Sequence, residues 1–227
     1  MRVKREQRPQ ITEESIITAA WALLGSIGIE EFSMRKLADE LNIQAPSLYW
    51  YFKNKQSIFQ ALANEVAKEA LVSATLEGPW QEQLTHFATC IKNTLNKYPC
   101  SAQLWMRTVP MDPDYLAVIN TLLKIIDPLL IEESDKFALA ACLLNYVISF
   151  ELDKYEQRKV DLSMLGEGQE GAQVLFRQSL EQLPEEKTQV IKRMYENGLF
   201  KELGSDRMFN TGLRLIVSGI ERLAHEG

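Results

Sequence analysis

Histidine and cysteine, the residue types that most often serve as bases, nucleophiles and metal ligands, are few in this 227-residue chain. The histidines are His86 and His225, and the cysteines are Cys90, Cys100 and Cys142. They suggest no ligand set for a metal and no paired disulfide framework, so neither a metal site nor a cofactor is expected. No Ser-His-Asp set is apparent. The run GEGQEG from Gly166 lacks the lysine that a phosphate-binding loop requires and lies in a polar stretch. A helical enzyme is therefore the weak expectation. The chemistry on offer is of the binding kind, concentrated in NIQAPSLYWYFKNKQSIF from Asn42 to Phe59.

In that stretch Pro46 can occupy the first turn of a short helix. With Leu48 and Phe52 inward, the helical wheel sets Ala45 and Tyr51 at the core margin. It turns Pro46 and Trp50 outward and puts Ser47 and Tyr49 on either side of the outward face. Packing does not explain an outward Trp. A helix of this kind fits a DNA major groove, where its N-terminal residues reach base edges. Hydroxyls can bond phosphates there, and apolar faces can meet thymine methyls. The alternative is a protein-binding patch with Trp50 as its hot spot.

Cations frame this face. Arg35 falls in the first turn of a preceding helix, Lys53 follows the aromatic run, and Lys55 at the next helix start can reach a phosphate. Arg2, Lys4, Arg5 and Arg8 form a basic arm that could touch a groove or serve only as a solubilising tail. Residues 1–60 carry a net charge of +1 and residues 61–227 a net charge of −7. Any nucleic-acid contact is thus local, and a whole-surface coat is excluded.

The elements that must position these residues read as helices throughout, with no period-2 runs. Thr12 N-caps a first helix whose apolar face is Ile16, Ile17, Ala20, Leu23, Leu24 and Ile27, and Gly28 closes it. Ser33 caps a second helix, Met34 to Leu41, and Asn42-Ile43 makes the turn into the third. The expected core of this helix-turn-helix unit is Ile16, Leu23, Leu24, Phe32, Leu37, Leu41, Ile43, Leu48 and Phe52. A fourth helix spans Lys55 to Leu76. Further helices are expected at 80–98, 101–108, 113–126 and 135–158, then a polar loop at 160–171. Two modest helices split by Pro184 and a last one capped by Ser205 complete the chain. The expected organisation is a reading domain at 1–54, a connecting helix at 55–78 and a helical body at 79–227.

Gly212 and Gly219 lie seven apart in the last helix, where glycine costs about 1 kcal/mol against alanine. That spacing suggests close approach by a partner helix in a two-fold dimer; packing within one chain is the alternative. No apolar run approaches a membrane span and no apolar signal region follows the charged start, so a cytoplasmic protein with no membrane partner is expected.

The segment from Ile11 to Ala63, with its Gly28 break, SMRKLADELNI and PSLYWYFKNK, resembles the N-terminal DNA-binding domain of the TetR family. PWQEQL from Pro79 and GLRLIVSGIERL in the last helix resemble more weakly the C-terminal domain of its tetracycline-repressor-like subgroup. The resemblance implies an all-α homodimer with an N-terminal three-helix helix-turn-helix domain and a C-terminal helical domain for ligand binding and dimerisation. It implies a ligand-responsive repressor on a palindromic operator of double-stranded DNA; an activator, or a constitutive regulator without effector, is the alternative. By position it assigns DNA contacts to Ser33, Met34, Arg35, Ala45, Pro46, Ser47, Tyr49, Trp50, Tyr51 and Lys55. Ala45 stands where the subgroup has a base-reading glutamine, and Tyr51 where it has a histidine, so a different operator is expected.

The subgroup binds a magnesium–tetracycline chelate through a histidine in the segment aligned with AQLWMRTVP, residues 102–110, where this chain has none. A more apolar or aromatic small effector is expected instead. Phe87, Ile91, Trp105, Met106 and Thr108 are its candidate contacts, with Asn145 and Ser149 as polar anchors one helical turn apart. Ordinary core is the competing reading for each.

Overall fold

The structure is a computed structural model that describes residues 11–164 and 170–226. All regular elements among the described residues are helical: α1 Glu13–Glu31, α2 Met34–Glu40, α3 Ala45–Leu48, α4 Lys55–Val72, α5 Trp80–Lys97, α6 Ser101–Arg107, α7 Pro113–Ile126, α8 Glu133–Met164, α9 Glu170–Gln182, α10 Glu185–Glu196 and α11 Asp206–Glu226, with a 3₁₀ turn at Leu199–Glu202. They form two compact units, Met1–Ser73 with Asn93–Val118, and Ala74–Lys92 with Ile119–Gly227.

In the first unit, local chemistry sets the helix starts. Thr12 Oγ1 accepts from Ser15 N at 3.1 Å and Ser15 Oγ accepts from Thr12 N at 3.0 Å, a reciprocal cap. Gly28 adopts φ 73°, a conformation that favours glycine, yet a last helical turn follows it to Glu31. That extra turn buries Ile29 and delivers Phe32 to the core. Ser33 caps α2 through Lys36 N, and Asn42 makes the turn at φ 53°. Of the expected core, Leu41 and Ile43 are only half-buried, because they flank that turn; the other seven are buried. Asn54 and Ser57 cap α4 reciprocally. α4 then buries Ile58, Phe59, Leu62, Val66 and Ala70, a face repeating every three to four residues.

Two polar faces of α4 hold its neighbours. Trp21 Nε1 donates to Glu65 at 2.7 Å, and Lys97 Nζ and the Tyr98 hydroxyl both donate to Glu69. Gln56, Gln60 and Asn64, four residues apart, grip the α6–α7 connection. Gln56 donates to Arg107 O at 2.8 Å, and Gln60 pairs with both the C=O and N–H of Val109. Asn64 Oδ1 accepts from Asp114 N and Tyr115 N at 2.9 and 3.1 Å. Arg107 also pairs with Glu30 of α1.

In the second unit α8 packs on α11 through Tyr146, Phe150 and Phe209, and the Tyr146 hydroxyl donates to Phe209 O at 2.8 Å. A Cβ on Gly212 would lie 2.3 Å from that hydroxyl, so this glycine admits Tyr146 of the same chain. Gly219 has nothing within 4 Å. Only the second glycine is therefore available for the partner approach expected from the pair. α8 runs to Met164, beyond the expected end at 158, since no glycine or proline occurs before Gly166. The loop expected at 160–171 falls partly outside the described residues.

Candidate nucleic-acid interface

α3 is four residues long, and a turn continues it to Tyr51. Leu48 is completely buried and Phe52 nearly so, which fixes the inward face. The opposite face stands in solvent: Trp50 is 90% exposed and Tyr49 53%. Pro46, Tyr49 and Trp50 line an open recess on it. Ala45 and Ser47 are half-buried at the edges, as the wheel requires. The apolar face of a tryptophan ring left this exposed, beside a phenol, is free to meet base edges and sugar-phosphate.

Around this face Arg35 and Lys53 are exposed. Lys36, also exposed, pairs with Glu31 at 2.8 Å, which holds that carboxyl below its ordinary value through the hydrogen bond first and the charge second. Lys55 is half-buried; its Nζ donates to Phe32 O at 3.3 Å and lies 5.3 Å from the centre of the Phe59 ring. Two assigned contacts sit differently from expectation. Met34 is 8% exposed, because the first residue of α2 faces the core, so its side chain is withdrawn from the surface. Tyr51 is 40% exposed, but its hydroxyl donates to Ile11 O at 2.8 Å.

The effector candidates divide between the two compact units. Phe87 and Ile91 are buried in the second unit. Trp105 is buried in the first; its indole N–H donates to Ala63 O at 3.1 Å and its ring stacks on Tyr115 at 4.7 Å. Burial drives the Tyr115 phenol well above its usual range. Thr108 is buried with its hydroxyl on Leu104 O at 2.8 Å, whereas Met106 is exposed. Asn145 and Ser149 lie on the exposed side of α8, opposite the buried Leu143, Leu144, Val147 and Ile148.

Sequence reading missed several polar residues. The amides Gln56, Gln60 and Asn64 carried a signal, their four-residue spacing on one helix; the Arg107–Glu30 pair carried none. His86 and Cys90, four apart on α5, were passed over as neighbours. They meet at 3.6 Å, and His86 Nε2 accepts from Thr75 N at 3.3 Å, but two ligands are short of the four a closed zinc site uses. Among the described residues no helix is long and apolar enough to cross a membrane.

The chain matches the family described as bacterial regulatory proteins, tetR family, over residues 16–62, and the tetracyclin repressor-like C-terminal domain over residues 73–224. It is 26% identical to the tetracycline repressor protein class C of Escherichia coli over 216 residues, 94% of this chain and 92% of that protein. To the class D repressor of Escherichia coli it is 36% identical over 108 residues, 47% of this chain and 50% of that one. The Streptomyces coelicolor TetR family protein ActR, solved in complex with actinorhodin, superposes with a TM-score of 0.76 at 20% identity, over 95% of this chain and 99% of that one. With a helix-turn-helix that presents Trp50, and family matches over both parts of its length, the chain belongs to the TetR family and is a DNA-binding transcriptional regulator.

Proposed function

We propose that α3 is the recognition helix and that Pro46, Ser47, Tyr49 and Trp50 read the operator. In this reading Ala45 meets bases only through its methyl, and Ser33, Arg35 and Lys55 hold phosphates. The observation that carries it is the opposition of a largely exposed Trp50 and a fully buried Leu48 two residues apart. Residues 1–54 act as the reading domain, α4 within 55–78 as the connection, and 79–227 as the body. α6 packs with α4 in the first compact unit, which supports coupling of body to reader through that helix.

The regulator works as a homodimeric repressor in the cytoplasm and has no catalytic role. Two recognition helices would engage half-sites about 34–36 Å apart, one turn of DNA. An effector releases the operator by binding better to a state with different helix spacing, and only to the extent of that difference. A small apolar effector fits better than magnesium–tetracycline, since residues 102–110 include no histidine. Phe87 and Ile91, both buried in the second unit, are the proposed apolar contacts. ActR, solved with actinorhodin, supports a small-molecule effector for this chain.

Selection of bound duplexes from a random pool should yield a palindrome, and a compound panel tested on that complex should yield a releasing ligand. Trp50→Ala should change the base preference and weaken operator binding about 10- to 100-fold, the worth of one good base contact. Wild-type preference in that variant would sink the recognition-helix assignment.

A further inference from the structure

Tyr51 departs most from the role its position suggests. Its hydroxyl is engaged with Ile11 O, forty residues earlier, and not held toward solvent. The acceptor is tied to a capped helix start, because the Ile11 carbonyl shares its peptide group with the Thr12 N–H, which donates to Ser15 Oγ. The donor's own segment is weakly held. α3 spans four residues, and Gln44 at its N-cap makes no side-chain hydrogen bond. Beyond the bonds within the helix itself, its backbone is tied by Ser47 N to Gln44 O, and by Tyr51 N and Phe52 N to Leu48 O. No other side chain from Asn42 to Phe52 hydrogen-bonds to another described residue. A helix this short does not hold itself. Burial of Leu48 and Phe52 fixes which face of α3 turns inward, but a non-directional apolar contact leaves the last degrees of its rotation about the long axis soft. A directional bond at the far end of the turn removes that freedom.

We propose that Tyr51 is a positioning residue of the DNA reader, whose hydroxyl bond to Ile11 sets the rotation of α3 and so the aim of Tyr49 and Trp50. This rests on α3 being the recognition helix. Tyr51 then contributes to specificity without touching DNA through its hydroxyl. Its neighbours deliver the contacts, and they do so in one orientation because the strut is in place before binding. A reader aimed in advance loses less freedom on binding.

The test pairs Tyr51→Phe with Trp50→Ala in the full-length dimer. The probes are a duplex selected by the wild type and a scrambled duplex. Exchange of the Tyr51 and Phe52 amides, followed by NMR in the free protein, reports the strut directly. Circular dichroism checks that the phenylalanine variant is folded; the ring stays, so the core is unchanged. Loss of one net hydrogen bond should speed exchange of those amides about 2- to 10-fold and lower the selected-over-scrambled preference by a similar factor. Unchanged exchange with equal weakening on both duplexes would make the hydroxyl a phosphate contact and overturn the proposal. So would faster exchange with unchanged preference, or no change in either. If Trp50→Ala keeps the wild-type preference, the recognition-helix reading fails first and takes the strut's role with it, whatever the exchange shows.

Discussion

Lys55 shows how one residue serves fold and binding together. Its Nζ is presented at the start of α4 by Phe32 O and the Phe59 ring. The ammonium has donors to spare after that one bond, so a phosphate can be added without releasing the carbonyl. Lys55→Ala should weaken binding to selected and scrambled duplexes alike and reduce the slope of log affinity against log salt by about 1. Anisotropy titrations between two salt concentrations measure this; an unchanged slope would leave Lys55 as a brace only. At this scale the sequence was most legible where side-chain direction follows from helical rotation. Trp50 out and Leu48 in needed only the wheel. Met34 was not legible, because position in a family motif does not report which way a first-turn side chain turns.

At the scale of elements, α4 is the organising piece of the first unit, and its amides act as backbone surrogates. Asn64 Oδ1 accepts the two N–H groups at the start of α7, so α4 supplies a side-chain cap for α7 from fifty residues away. Asn64→Ala should cost about 0.5–2 kcal/mol in urea unfolding, the usual worth of a cap. A loss below that range would mean that water replaces the amide.

In the second unit the corresponding tie is charged. Glu151 on α8 is buried, and Lys154 Nζ lies 3.7 Å away, a charge contact too long for a hydrogen bond. Lys92, itself buried, pairs with Asp206 at the start of α11 and lowers that carboxyl's pKa, while Arg158 adds a smaller lowering influence on Glu151. Burial raises the Glu151 carboxyl above 4.5 despite the three cations. The folded state then holds the proton more tightly than the unfolded state. Stability from this group is complete below 4.5 and is lost as pH rises through the raised value. The unfolding free energy of the wild type relative to Glu151→Gln should therefore fall from pH 4.5 towards neutrality. A flat difference would show that Glu151 titrates normally.

For the whole molecule, the question is what meets the exposed side of α11. Leu215 and Leu223 are exposed, and Gly219, with nothing within 4 Å, lies between them at four-residue spacing. A stripe of two leucines around a glycine suits close approach by the same helix of a second copy, the isologous contact of a two-fold dimer. Leu215→Arg should dissociate the dimer in sedimentation velocity. It should also lower operator affinity about 10²- to 10⁴-fold, because the second half-site is no longer bound intramolecularly. The isolated chain should keep its helicity. A variant that stays dimeric would move the interface elsewhere.

Sequence alone determined the helix set, the caps at Thr12, Ser33 and Ser205, the turn at Asn42 and the outward aim of Trp50. Each of these is decided within a few residues by hydrogen-bond spacing and helical rotation. The family followed from the same local stretch. Tertiary structure decided what long separations bring together: Tyr51 on Ile11, Asn64 on α7, Arg107 on Glu30, and Tyr146 in the space left by Gly212. It also turned Met34 inward and Asn145 and Ser149 outward. No local pattern specifies those outcomes, because each depends on which other helix packs against the residue in question.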